Sequence, residues 1–203
     1  MTKGATRMEL RRLKARLVTA KRGHKMLKDK SDEMVRRLVL LSRRAKSLRE
    51  RVRAGLPAAL SAFVLAKSSC GEAEFLESIL MPGRPLWVDC TNASLLSVQV
   101  PKISLIGAEG ESISYAYSSM PAEADVGVRL LAELLPVLLE LAETEQTYRL
   151  LEAEMKRTKR RVNALEYVMI PEAERDVRAI VMKLEENERA ATVRLMKLKG
   201  KLQ

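Results

Sequence analysis

The sequence contains few aromatic residues, cysteines or histidines. Of its 203 residues, 3% are aromatic, two are cysteine and one is histidine. Compact cores draw much of their buried area from aromatic side chains, whereas this chain uses Leu, Ala, Met, Glu, Lys and Arg, a composition typical of long helices and coiled coils. Cys70 and Cys90 have no His/Cys cluster beside them that would complete a metal site. We therefore expect idle or buried thiols and no bound metal.

Long apolar runs are also missing. The first residues, MTKGATRMELRR, lack the apolar segment of a signal peptide. The most apolar stretch, residues 130–142, is interrupted by Glu133 and Glu140 and is shorter than the roughly 20 apolar residues that span a membrane. We expect a soluble, cytoplasmic protein that does not insert directly into a membrane.

Signatures of catalysis are absent as well. The sequence has no phosphate-binding loop, no dinucleotide-binding glycine turn and no His-Glu-x-x-His zinc motif. Three carboxylates cluster at Glu185, Glu186 and Glu188, but Lys183 and Arg189 beside them favour surface ion pairs on a helix. We expect no catalytic residues, no cofactor and no enzyme activity on this chain.

The dominant positive feature is a heptad pattern near the amino terminus. Residues 6–9 (TRME) have the form of a capping box and predict a helix start. From Leu10 onward, steps of three and four alternate for six heptads, and a sustained period of 3.5 implies supercoiling about a partner helix. The predicted seam comprises Leu10, Leu13, Leu17, Ala20, His24, Leu27, Ser31, Met34, Leu38, Leu41, Ala45, Leu48 and Val52.

A second seam follows Pro121, which can serve as the first residue of a helix. Its residues are Leu134, Val137, Leu141, Thr144, Tyr148, Leu151, Met155, Thr158, Val162, Leu165 and Met169. After Pro171 the pattern slips, as in a coiled-coil stutter. It resumes at Val177, Ile180, Leu184, Asn187, Ala191 and Leu198.

Two seams in one chain most simply pair antiparallel. Pairing from the two termini, with Thr6 opposite Lys201, places His24 near residues 183–187. The single histidine then belongs to a polar layer that sets register and is neither a base nor a metal ligand. The sequence thus predicts a mainly α fold, a long antiparallel two-helix coiled coil with a small middle domain that contains short β-strands.

Three segments follow from this pattern. They are an amino-terminal coiled-coil helix (1–56), a middle domain (57–120) and a carboxy-terminal coiled-coil helix (121–203). Gly55 and Pro57 interrupt the first seam, and residues 57–70 either continue the helix after a bend or begin a new one. The sequence leaves this choice open.

Most of the aromatic residues fall between positions 63 and 117, so the middle domain is the expected globular part. Its predicted strands are 86–90, 95–104 and 112–117, with a turn at 107–110.

Charge is distributed unevenly along the chain. Residues 1–53 carry a net +14, residues 54–154 a net −9 and residues 155–203 a net +6. An antiparallel hairpin brings both basic segments together, so one end would carry about +20. An acidic protein cavity, nucleic acid or an anionic membrane would suit such a surface, and the plainest explanation is a solvated face of a coiled coil.

Several segments together resemble the D subunit of the V-type and A-type ATPases, and they cover nearly the whole chain in the family's order. They are TRMEL with Leu13-Lys14, AKRGHKMLKDK (20–30), FVLAK (63–67), VQVP (98–101), RRVNALE (160–166) with Ile170-Pro171, and KLEENER (183–189).

The resemblance implies a central-stalk rotor shaft that couples ATP hydrolysis or synthesis in a catalytic hexamer to ion translocation through a membrane ring. It implies three partners: the hexamer of catalytic and regulatory subunits around the termini, the small F subunit of the rotor at the middle domain, and the funnel-shaped subunit at the membrane ring. It also links a short middle-domain hairpin, which we assign to residues 88–110, to stimulation of ATP hydrolysis. The alternative is a basic coiled-coil protein that binds nucleic acid or acts as a scaffold.

The basic residues that would face the hexamer lie on both helices. They are Arg11, Arg12, Lys14, Arg22, Lys25, Lys156, Arg157, Lys159, Arg160 and Arg161.

Overall fold

The structure is a computed structural model that describes residues 6–80, 86–107 and 121–200. Its elements are α1 (Arg7–Cys70), α2 (Glu72–Leu80), β1 (Trp87–Leu95), β2 (Val98–Ile106), α3 (Ala122–Ala164), a π-helical turn (Leu165–Met169) and α4 (Ile170–Lys199). Long helices near both termini with a small antiparallel sheet between them confirm the predicted fold class. Contacts divide the chain into a terminal unit (Met1–Glu33 with Met155–Gln203) and a central unit (Met34–Glu154).

Helix α1 begins and ends at recognisable caps. At its start the Thr6 Oγ1 accepts a hydrogen bond from the Glu9 amide at 3.3 Å, which satisfies one of the free N–H groups of the first turn. At its end Gly71 adopts φ +86°, the left-handed conformation that closes many helices. Between them the helix passes through Pro57 without interruption, so residues 57–70 continue the first helix.

Small residues make up part of the core of the central unit. Five alanines are buried there: Ala45, Ala59, Ala62, Ala66 and Ala124. Gly127 of α3 lies so close to Phe63 of α1 that an added Cβ would stand 3.0 Å from the ring. Phe63 in turn contacts Phe75 of α2 edge to face, with ring centroids 6.3 Å apart. A close approach of α1 and α3 thus holds α2 through one aromatic pair.

The two strands form an antiparallel hairpin, with Trp87 opposite Ile106 at one end and Leu95 opposite Val98 at the other. Its two-residue turn places Leu96 at φ 52° and Ser97 at φ 69°. The predicted strands at 86–90 and 95–104 correspond to the two strands of the hairpin, but their bounds were wrong, since β1 continues to Leu95 and β2 begins at Val98. The turn was missed because tight turns of this kind are usually marked by Asn-Gly or Asp-Gly and this one is not. The predicted strand 112–117 lies outside the described residues.

The predicted register of the helix pair was also wrong. In the terminal unit His24 contacts Glu166, not residues 183–187. The prediction started the pairing at the termini, whereas in the central unit the last turns of α1 already pair with the first turns of α3, as Phe63 does with Gly127.

A π-helical turn at Leu165–Met169 accounts for the slip in the second seam. The Ile170 amide donates to the Leu165 carbonyl, five residues back, and Pro171, which has no N–H, follows at once. Such a turn carries one extra residue and rotates the side chains around it. Met169, included in the predicted seam, is therefore 44% exposed.

Candidate functional site

The terminal unit carries all of the excess positive charge of the chain. Its sequence contains 24 Lys/Arg and 11 Asp/Glu, a net +13, whereas the central unit contains 13 and 15, a net −2. The chain's net charge of +11 therefore comes entirely from the terminal unit. We take the exposed surface of this unit as the candidate site.

On α1, four of the predicted basic residues share one stripe. Arg11, Lys14, Arg22 and Lys25 follow helical spacing through Val18, and all five residues are exposed. The buried or half-buried side of the same helix carries Leu13 and its seam neighbours. The stripe therefore faces away from the partner helix.

On α3, the predicted basic residues cluster between positions 156 and 161, and all five are exposed. Lys156 and Arg157 already interact with other groups. The remaining three, Lys159, Arg160 and Arg161, are here called the 159–161 cluster. Within the described residues they form no ion pair, so they are available to an acidic partner.

Ion pairs join the two helices of the terminal unit at their edges. Arg7 Nη2 lies 2.7 Å from Glu188 Oε1, and Lys21 Nζ lies 2.7 Å from Glu174 Oε1. The hydrogen bond and charge of Lys21 lower the pKa of Glu174 below its usual value. His24 Nε2 lies 3.2 Å from Glu166 Oε2.

Glu188 therefore serves as an ion-pair partner of Arg7, while Glu185 and Glu186 beside it are exposed. Among the described residues, no group of three His, Cys, Asp or Glu side chains is arranged to hold a metal ion.

Apart from Met169, the predicted seam residues lie on the inner sides of the helices up to Leu184. In the terminal unit Leu13, Thr158, Val162 and Ile180 are buried, and Leu10, Leu17, Leu27, Met155, Leu165 and Leu184 are partly buried. In the central unit Met34, Leu38, Leu48 and Leu151 are buried, and Leu41 and Val52 are partly buried. Asn187, Ala191 and Leu198 are exposed, so their place in the seam is corrected.

One contact that the sequence did not indicate lies in the central unit. The Ile103 amide of β2 donates to Glu143 Oε2 of α3 at 2.9 Å. No local motif marks Glu143, because its partner stands forty positions away. This carboxylate attaches the hairpin to the helix.

None of the described helices combines the length and the apolarity needed to cross a bilayer.

Comparison with known proteins identifies the family. The pattern of the family described as the D subunit of ATP synthase matches residues 9–200. The chain belongs to this family. It is 44% identical over 195 residues to the V-type ATP synthase D subunit of Thermoanaerobacter sp. (strain X514), covering 96% of this chain and 93% of the relative.

Two further V-type ATP synthase D subunits are similar to the chain over nearly its whole length. The one from Clostridium novyi (strain NT) is 44% identical over 202 residues, and the one from Clostridium botulinum (strain Langeland) is 42% identical over 203 residues. In each case 98% of this chain and 94% of the relative are covered.

Membership in the D-subunit family confirms the resemblance seen in the sequence, and with it the prediction of a rotary ATPase stalk subunit. None of these relatives is by name a nucleic-acid-binding protein or a free-standing scaffold.

Proposed function

We propose that this chain is the central rotor shaft of a V-type or A-type rotary ATPase and contributes no catalytic residue. It would transmit rotation between ATP hydrolysis or synthesis in the catalytic hexamer and ion translocation through the membrane ring. The full-length similarity to V-type ATP synthase D subunits carries this proposal. The chain would then be peripheral to the membrane, on its cytoplasmic side, attached through the complex.

The charge of the terminal unit supports an assignment of its partner. A surface of net +13 whose basic stripe faces outward fits an acidic cavity inside the catalytic hexamer. Charge interactions act at long range and tolerate sliding, which suits a rotating contact better than interlocked apolar side chains would. The stripe on α1 and the 159–161 cluster are the residues we assign to this contact.

The remaining partners are assigned to other parts of the chain. We assign the small F subunit of the rotor to the middle of the chain and the funnel-shaped subunit of the membrane ring to the end that connects the two long helices.

The first test is co-purification. A tagged copy expressed in the native host is expected to bring down catalytic, regulatory and ring subunits of one ATPase, identified by mass spectrometry. Recovery of the tagged chain alone, as an extended monomer, would contradict the proposal and favour the scaffold alternative.

The second test neutralises the 159–161 cluster by changing its three residues together to Gln. ATP hydrolysis in the assembled complex should become less tightly coupled to ion transport, while helix content and thermal unfolding of the isolated chain stay unchanged. Each charge alone contributes little because it is exposed, so single changes should have small effects. The matched control removes the same charge from the central unit with Arg43→Gln, Lys46→Gln and Arg53→Gln, and equal losses from both triples would argue against the cluster.

A further inference from the structure

The two edges of the β-hairpin differ in what they contact. The outer edge of β2 is engaged, because the Ile103 amide donates to Glu143 of α3. Pro101, two residues before Ile103, has no N–H to offer on the same edge, which is where proline is tolerated in a sheet. The outer edge of β2 therefore lacks two of the backbone N–H donors that a further strand would need for pairing.

The register shows which groups of β1 point outward. Ile103 stands opposite Cys90, and Pro101 stands opposite Asn92. Since the Ile103 amide points away from β1, these are the non-hydrogen-bonded pairs of the antiparallel ladder. By the two-residue period, the N–H and C=O groups that point away from β2 belong to Val88, Cys90, Asn92 and Ser94.

Strand β1 lacks the features that usually protect such an edge. Its first eight residues, Trp87 to Ser94, are all exposed. It contains no Lys, Arg or Pro, and its only charged residue is Asp89. None of the described residues pairs with this nine-residue edge. An edge without those protective features forms a template for a further strand, and a two-stranded hairpin alone is only marginally stable.

The charge of the surrounding sequence favours one kind of partner. Residues 72–125 contain eight Asp/Glu but only two Lys/Arg. A strand that bears Lys or Arg side chains would complement this region, whereas a second copy would bring the same acidic sequence against it.

We propose that the outer edge of β1 binds an extended, basic segment of another subunit of the complex, which adds to the hairpin as a third strand. Backbone hydrogen bonds to Val88, Cys90, Asn92 and Ser94 provide affinity, as in other cases of strand addition. This inference rests on the proposed function, because it requires a partner subunit.

Amide hydrogen exchange at single-residue resolution tests the edge. In the isolated chain, the amides of Val88, Cys90, Asn92 and Ser94 should exchange quickly, whereas their neighbours Asp89, Thr91 and Ala93 should be protected by β2. In the assembled ATPase the first set should slow by about tenfold or more, since each amide gains a hydrogen bond. Protection of the first set already in the isolated chain would overturn the proposal.

Asn92→Pro and Asn92→Thr separate the backbone from the side chain. Proline removes only an outward N–H and leaves the ladder to β2 intact, so slow exchange of the Ile103 amide should persist as evidence of folding. In the assembled complex, the Pro variant should lose the added protection at Cys90 and Ser94, while the Thr variant keeps it. If the Pro and Thr variants showed equal protection of Cys90 and Ser94 in the assembled complex, the proposal would be overturned.

The same samples distinguish the two levels of inference. If the chain co-purifies with the ATPase but Val88, Cys90, Asn92 and Ser94 gain no protection, the strand addition is wrong and the proposed function stands. If the chain fails to co-purify, both are overturned.

Discussion

The terminal and central units share one heptad pattern but are packed differently. Among the described residues, four buried side chains belong to the terminal unit and thirteen to the central unit, so most of the core lies in the central unit. Ion pairs run along the helix edges in both units, such as Lys21 with Glu174 in the terminal unit and Arg44 with Glu140 in the central unit. The same periodicity therefore supports a closely packed core in one unit and a more open, strongly basic pair in the other.

Glycines show the difference most directly. A Cβ added to Gly127 of the central unit would meet the Phe63 ring at 3.0 Å, and one added to Gly55 would meet Leu134 at 2.8 Å. A Cβ added to Gly23 of the terminal unit would meet nothing within 4 Å. Of these three glycines, the two in the central unit lie where the helices approach closely, and the one in the terminal unit does not.

The largest expected effect is that of a charge placed in the central core. Leu38 is 7% exposed, so Leu38→Asp buries an unpaired carboxylate and should lower the free energy of unfolding by more than about 3 kcal/mol. Denaturant unfolding followed by circular dichroism measures the loss.

Leu40→Asp is the matched control, because Leu40 is 57% exposed on the same helix and should tolerate the charge. The comparison extends to Leu13→Asp in the terminal unit. Leu13 is buried to a similar degree (5% exposed), but its unit has fewer buried side chains, so the change should cost less than Leu38→Asp. A larger loss for Leu13→Asp would contradict the contrast between the units.

The next largest effect compares a glycine at a close helix contact with a glycine that has no neighbour within 4 Å. Gly127→Ala should destabilise the chain by about 1 to 2 kcal/mol, because overpacking against Phe63 outweighs the gain in helix propensity. Gly23→Ala has only the propensity gain and should stabilise by up to about 1 kcal/mol. The change in melting temperature should be negative for Gly127→Ala and positive for Gly23→Ala. Changes of the same sign in both variants would show that the helices approach equally closely at the two glycines.

The contrast between the units explains which parts of the fold the sequence could predict. Seam residues such as Leu38 and Val162 were predictable, because alternating steps of three and four mark a helix pair in either unit. The register was not, because a heptad pattern fits many offsets. The choice among them depended on contacts such as Phe63 with Gly127, which no local pattern marks.

Three local features were hidden for other reasons. Pro57 reads as a helix breaker, yet tertiary packing carries α1 past it. The turn at Leu96 and Ser97 has positive φ angles without Gly, Asn or Asp, so the usual signal was absent. Of the candidate site, the exposure of the basic residues followed from their helical spacing, but the contact of Glu143 with Ile103 depends on tertiary structure alone.

A smaller and local effect is expected at the attachment of the hairpin. Glu143→Ala removes the acceptor of the Ile103 amide and should reduce local stability by about 1 kcal/mol. Exchange of that amide should accelerate while exchange in the core of α1, at Met34 for example, stays unchanged. Glu143→Gln retains an acceptor oxygen and should restore most of the protection; faster exchange at Met34 as well would indicate global rather than local loosening.

The smallest effect concerns the edge pairs of the terminal unit. Lys21→Met removes the hydrogen bond and charge that lower the pKa of Glu174, so that pKa should rise toward its ordinary value, as NMR titration would show. Because the folded-state pKa is the lower one, the pair stabilises the fold above the ordinary carboxyl pKa, and this contribution is lost as pH falls through the lowered value. Both side chains are substantially exposed, so the free energy of unfolding at neutral pH should hardly change.

Lys67→Met is the corresponding change in the central unit, where Lys67 lowers the pKa of Glu72 in the same way. Because both pairs are exposed, the two carboxyl groups should respond alike, unlike the glycines and the buried leucines. A Glu174 pKa that stayed low after Lys21→Met would assign the shift to Arg178, the other cation acting on this carboxylate. Glu72 of the central unit has only Lys67 as a cationic cause of its lowered pKa. The two units would then differ in how their exposed carboxylates are stabilised, as well as in how their cores are packed.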